Sequence, residues 1–169
     1  MKSSTKILAR AGLIACLYVV LSLLVFPLAS GAVQLRVSEI LTLLPLLYLE
    51  AVPALFVGCF LSNLITGCAI FDVVLGSLIT LVAGALTYLT AMLIKNKWLK
   101  IAVGGAFPVL LNAFLLPLVW LLCYGTGEYV YIVQALIVLA GQSLAVYLLG
   151  TPSFIAIERL KNNGVNFLN

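Results

Sequence analysis

Apolar runs long enough to cross a bilayer, separated by brief turns that carry the charge, limit this chain to few folds. A hydrocarbon core of roughly 30 Å takes about 20 apolar residues in helical form, and the runs predict spans at about 7–28, 36–49, 52–66, 71–94, 101–123 and 130–149. With 64% apolar and only 8% charged residues, a soluble domain of this size would lack the polar surface it needs, so all 169 residues fall in the membrane class. The expectation is an all-α membrane protein, a bundle of six transmembrane helices forming a single integral domain over residues 1–169. No fixed-period repeat, linker or low-complexity segment interrupts it.

The second and third runs are short, about 21 Å each at ~1.5 Å per residue. They are either tilted short helices or a hairpin that dips in and returns, with Glu50 and Pro53 at its turn. Both leave the flanking loops on the same side. Charge then sets the orientation: with a cytoplasmic N-terminus, Lys2, Lys6, Arg10, Lys95, Lys97, Lys100, Arg159 and Lys161 lie inside and Arg36 alone lies outside. Both termini are then cytoplasmic, in a cell membrane. The cations cluster at the ends of apolar segments and not along one helix face, which argues against nucleic acid as a partner despite the net charge of +4. Lys2, Lys6 and Arg10 followed by an apolar run and Ala29-Ser30-Gly31-Ala32 resemble a secretory leader. Ala11 to Leu28 outruns the roughly 7–15-residue core of such a leader, so it is read as a retained first span. Trp98 and Tyr147 near one boundary, and Trp120, Tyr124, Tyr129 and Tyr131 near the other, stand where interfacial aromatic belts stand.

Against this background the stretch Val33-Gln34-Leu35-Arg36-Val37-Ser38-Glu39-Ile40-Leu41-Thr42-Leu43-Leu44-Pro45 is anomalous. An ionisable group within a membrane costs roughly 2.5–3.5 kcal/mol on insertion scales, which makes it a functional-site hypothesis by default. Arg36 and Glu39 either belong to such a site or neutralise each other at i, i+3. Asp72 and Glu128 add carboxylates on the outer side, either a mouth that attracts N–H donors or solvated helix starts favoured by the macrodipole. Glu39 begins an apolar run, so its side chain is expected to point inward.

Deeper polar groups are Ser62 and Asn63, then Asn112, then Gln134, Gln142 and Ser143. Asn112 stands between Pro108 and Pro117, and each proline frees the carbonyl four residues earlier, those of Gly104 and Ala113. An amide at mid-depth in such a helix is either part of a ligand cavity or a hydrogen bond between helices worth about 0.6 kcal/mol. Phe71, Trp120, Tyr124, Tyr129 and Tyr131 are candidates for stacking on a planar heterocycle. Small residues mark close helix contacts: Ala11 and Ala15 beside Gly12 and Cys16, and Gly76, Thr80 and Gly84.

The chain encodes no Walker A motif, no G-x-S-x-G, no H-E-x-x-H and no histidine. Binding is indicated, while an energy source is not, and no cofactor or metal is expected. Cys16, Cys59, Cys68 and Cys123 form no C-x-x-C pair and are read as small buried packing residues; Cys68 and Cys123 both fall near the outer boundary, which leaves a disulfide between them open.

On these residues the chain resembles the QueT family, the membrane substrate-binding (S) components of energy-coupling-factor transporters for queuosine precursors. The resemblance runs through Val33 to Glu39, Leu41-Thr42-Leu43-Leu44-Pro45, Glu50-Ala51-Val52-Pro53, Gly58-Cys59, Asn63-Leu64 and Asp72 to Leu78. It continues in Lys95-Asn96-Lys97-Trp98, Leu111-Asn112-Ala113 and Tyr147-Leu148-Leu149-Gly150. It implies a six-helix bundle with an occluded site near the outer face, gated by the loop that ends at Val33-Gln34. It also implies a 7-deazaguanine ligand such as preQ1 or preQ0, and a transmembrane coupling subunit, contacted by Ala11 and Ala15, that links the binder to two cytoplasmic ATPase subunits. Arg36, Glu39, Asn63, Asp72, Asn112 and Gln142 are the expected site residues. Gln142 replaces an acidic residue of the family pattern, which leaves open whether a charged or a neutral ligand is preferred. Another vitamin or nucleobase binder on the same fold, and a scaffold whose polar groups only hold helices together, remain the alternatives.

Overall fold

The computed structural model describes residues 3–25, 36–125 and 128–163, and all secondary structure among them is helical. Helix α1 covers Ser3–Leu24, α2 Val37–Leu46, α3 Ala51–Ile65, α4 Ser77–Leu93, α5 Lys97–Tyr124, α6 Glu128–Ser143 and α7 Thr151–Asn162. Two π-wound stretches, Asp72–Gly76 and Leu144–Gly150, lead into α4 and join α6 to α7.

Four helical stretches are long and apolar enough to cross a membrane: Ser4–Leu24, Asp72–Leu93, Lys97–Cys123 and Val130–Asn162. α2 and α3 are shorter apolar helices. The bundle is dressed for lipid, with Leu8, Leu93 and Leu122 each more than 70% exposed. Its polar side chains are turned inward: Glu39 is 0% exposed, Asn112 and Gln142 1% each. The last stretch runs past the predicted end at 149 without a break. At 33 residues it is about 50 Å long, so α7 projects beyond a core of roughly 30 Å.

α2 is the centre of the bundle, buried at Ser38, Glu39 and every position from Leu41 to Leu46. It is wound as a 3₁₀ helix with Pro45 inside it. Proline offers no N–H to an α-helical ladder, and a 3₁₀ run of this length is uncommon. α2 and α3 join at a turn fastened to both ends of the chain. Arg10 Nη2 of α1 lies 3.0 Å from Glu50 Oε1, and Lys161 Nζ of α7 donates to Leu47 O at 3.0 Å. Both cations also sit over the Tyr48 ring, at 4.7 and 4.6 Å. The turn therefore stands at the end of the bundle where Arg10 and Lys161 stand.

α1 and α3 run side by side in the same direction, because Arg10 meets Glu50 and Tyr18 meets Gly58. Gly58 allows this approach: a Cβ there would lie 2.7 Å from Tyr18 Cβ and 3.1 Å from Ala15 O. Ala11 and Ala15 accordingly pack, partly buried, against the cluster of Ile14, Leu41, Leu55 and Cys59 inside this chain. Gly12 and Cys16 are the exposed members of the stripe. The second stripe is internal too: a Cβ at Gly84 would be 3.7 Å from Val52 Cα of α3.

α5 is capped by Asn96, whose side chain accepts from Trp98 N and Leu99 N, and ends at Gly125 with φ 69°. The carbonyl of Gly104, freed by Pro108, accepts from Thr87 Oγ1 of α4 at 2.8 Å. The Tyr147 hydroxyl donates to Ala102 O at 2.8 Å. One expectation is corrected. Of the four cysteines only Cys59 is buried, Cys16 is exposed, and all four are free thiols.

Candidate functional site

The site is built around Glu39, in the first turn of α2. Its carboxylate is reached from two other helices: Tyr18 of α1 donates its hydroxyl to Oε1 at 2.7 Å, and Asn112 of α5 donates Nδ2 to Oε2 at 3.5 Å. The second contact is at the long limit of a hydrogen bond. The local winding of α2 is secured by Thr42, whose hydroxyl donates to Glu39 O at 2.6 Å, and by Glu39 N donating to Arg36 O at 3.0 Å. Gly150 lets the π-wound stretch come close: a Cβ there would be 3.2 Å from Ile40 O, the residue after Glu39. π-wound segments often accompany functional sites.

Arg36 stands at the N-terminal end of α2, partly exposed. The ion pairs among the described residues are Arg10 with Glu50 and Lys97 with Glu158. No Arg36–Glu39 contact within 4 Å is among them, and the direct contacts to the carboxylate come from uncharged donors, Tyr18 and Asn112. Asn112 Oδ1 and Gln142 Oε1 are buried with no hydrogen-bond partner among the described residues. Gln142 lies one turn before Val146, Glu39 four residues before Leu43, and Asn112 three beyond Val109. Leu43, Val109 and Val146 share one apolar cluster, so each of the three polar side chains stands within four residues of one of its members.

A second polar group forms nearer the start of α4. Asn63 of α3, 7% exposed, donates Nδ2 to Asp72 O at 3.2 Å. Asp72 Oδ1 accepts from Trp120 Nε1 at 2.8 Å. Asn112, Leu116 and Trp120 follow at four-residue steps on α5, which places them on one face about 6 Å apart along the axis. Asn112 touches Glu39, Leu116 and Asn63 both border Gly76, and Trp120 touches Asp72. The two polar groups are therefore about 12 Å apart along α5. The predicted site divides: Glu39 pairs with Asn112, and Asn63 pairs with Asp72.

Tyr18 and the Trp120–Asp72 bond were not legible as parts of a site. The available signal for Tyr18 was its place in the middle of the first apolar run, away from both belts. Val33 and Gln34, the expected gate, lie outside the described residues, as do the side chains of Tyr124, Glu128 and Tyr129. No group of three or more His, Cys, Asp or Glu side chains able to hold a metal occurs among the described residues.

Chemically, Glu39 together with the unpartnered Asn112 oxygen beside it makes an acceptor-rich centre, suited to a small molecule that offers several N–H donors. Fold and site together define a helical membrane protein with a polar centre inside an apolar bundle, the setting of a transport protein. The chain belongs to the QueT transporter family, whose model matches residues 8–159. This is a family of transporters and not of enzymes. No curated protein and no solved structure matches the chain.

Proposed function

We propose that the chain is the substrate-binding membrane subunit of an energy-coupling-factor uptake transporter, and that its ligand is a queuosine precursor, a 7-deazaguanine such as preQ1 or preQ0. The observation that carries this is the meeting of Tyr18, Glu39 and Asn112, from three separate helices, inside an apolar bundle. The Asn112 oxygen beside it, and that of Gln142 on α6, are buried without a hydrogen-bond partner among the described residues.

A guanine-type edge presents adjacent N–H donors, which a carboxylate accepts in bidentate fashion. In this reading Glu39 takes that edge, while Asn112 and Gln142 take further donors or, through their NH₂ groups, serve the ligand's carbonyl. Arg36, Asn63 and Asp72, with Trp120, are the further polar side chains of the site. Burying such partners rejects analogues that lack the matching groups, by up to about 10⁴-fold in a well-built site.

The chain crosses the membrane six times as one domain, with both termini and the Arg10–Glu50–Lys161 end in the cytoplasm of a prokaryotic cell, where the basic residues concentrate. α1 docks the transmembrane coupling subunit. It is the least enclosed of the long helices, with 11% of its apolar window buried, and it presents Gly12 and Cys16 beside Ala11 and Ala15. Two cytoplasmic ATPase subunits then supply the energy that this chain does not encode.

Calorimetry of the purified subunit against purines, deazapurines and vitamins tests the proposal. Stoichiometric binding of a 7-deazaguanine is the expected result. A response to a different vitamin alone reassigns the substrate, and the absence of any binding leaves the polar groups as helix-to-helix contacts of a scaffold.

A further inference from the structure

α1 lies mostly outside the bundle, yet it sends one large side chain to the centre. Tyr18 is 1% exposed and lies against Gly58, where an added Cβ would come 2.7 Å from its Cβ and 3.1 Å from its Cγ. Its hydroxyl meets Glu39 Oε1 at 2.7 Å, whereas the other carboxylate oxygen has only the 3.5 Å contact with Asn112. One oxygen is held firmly and its twin loosely. The terminal torsion of a glutamate is soft, so without a firm partner the carboxylate plane would turn freely.

We propose that Tyr18 is a positioning residue for substrate: by holding Glu39 Oε1 it fixes the carboxylate plane, so that a ring N–H and a neighbouring exocyclic amine are met together. Tyr18 thereby sets the discrimination between amine-bearing ligands and their deaminated counterparts. This rests on the 7-deazaguanine reading and adds to it a residue that touches Glu39 and not the ligand.

Tyr18→Phe keeps the ring against Gly58 and removes only the hydroxyl. The full-length wild type and variant, purified in detergent, are titrated with 7-cyano-7-deazaguanine and with 7-cyano-7-deazahypoxanthine, which lacks the exocyclic amine. Wild type is expected to prefer the amine-bearing ligand by about 100-fold. Tyr18→Phe is expected to cut that preference about tenfold, through weaker binding of the amine-bearing ligand alone. A second variant, Gly58→Ala, presses on Tyr18 Cβ and the α1 backbone while keeping the hydroxyl, and the protein that remains folded is expected to show a lower ratio too. If both ligands weaken by one common factor in these variants, Tyr18 is only a packing residue and the proposal is overturned. If wild type binds neither ligand, the deazaguanine reading itself falls and the proposal falls with it, a failure distinct from equal losses.

Discussion

Asn112 Nδ2 lies 3.5 Å from Glu39 Oε2, although 73 residues separate them in the chain. The contact joins the central 3₁₀ helix to the helix that carries two prolines, and it is long enough for a ligand to replace at little cost. An acidic side chain inside a lipid-facing bundle is expensive. Here it is met by an amide and a phenol, uncharged donors that a substrate's N–H groups can join or displace.

The Thr87 hydroxyl stands in for the N–H that Pro108 lacks. Thr87→Val deletes it and leaves the buried Gly104 carbonyl without its partner, a loss of about 1–3 kcal/mol. A lower melting temperature in detergent, restored by Thr87→Ser, is the expected outcome. Ligand affinity should stay unchanged, because Thr87 touches neither polar group.

Gly58→Ala should destabilise the fold by about 1–3 kcal/mol through overpacking. The added carbon would meet Tyr18 Cβ at 2.7 Å and Ala15 O at 3.1 Å, atoms too near their own backbones to swing aside. Thermal unfolding of the purified subunit measures this, and a melting temperature equal to wild type would contradict the tight α1–α3 contact.

Gly12→Trp should leave folding and ligand binding intact, since no atom lies within 4 Å of a Cβ at that position. If this face of α1 docks the coupling subunit, uptake by cells carrying the whole transporter should fall to background while the solitary subunit still binds. Normal uptake would move the docking surface elsewhere.

Much of this architecture was written plainly in the chain. The apolar runs gave the long helices, because the bilayer fixes their length, and Glu39 was expected inward because apolar residues follow it. The winding of α2 was less visible: a ten-residue 3₁₀ helix depends on neighbours packed all round it, and no local propensity announces such enclosure. Tyr18 is hidden in the sequence for a related reason. Tyrosines in membrane proteins gather at interfaces, and only the match between its ring and Gly58, forty residues on, reveals that this one goes inward. The small-residue stripe at Ala11 and Ala15 was legible as a contact, but not which helix it meets, since small residues admit any close neighbour.

Glu39→Gln decides the central claim. The substitution keeps the shape of the side chain and its contact with Tyr18, but replaces a carboxylate by an amide that accepts through one oxygen only. Calorimetry with 7-cyano-7-deazaguanine should show saturable one-to-one binding to wild type and a loss of about 100-fold or more in the variant, with melting temperatures within a few degrees of each other. Equal affinity for the two proteins would contradict a substrate held at Glu39.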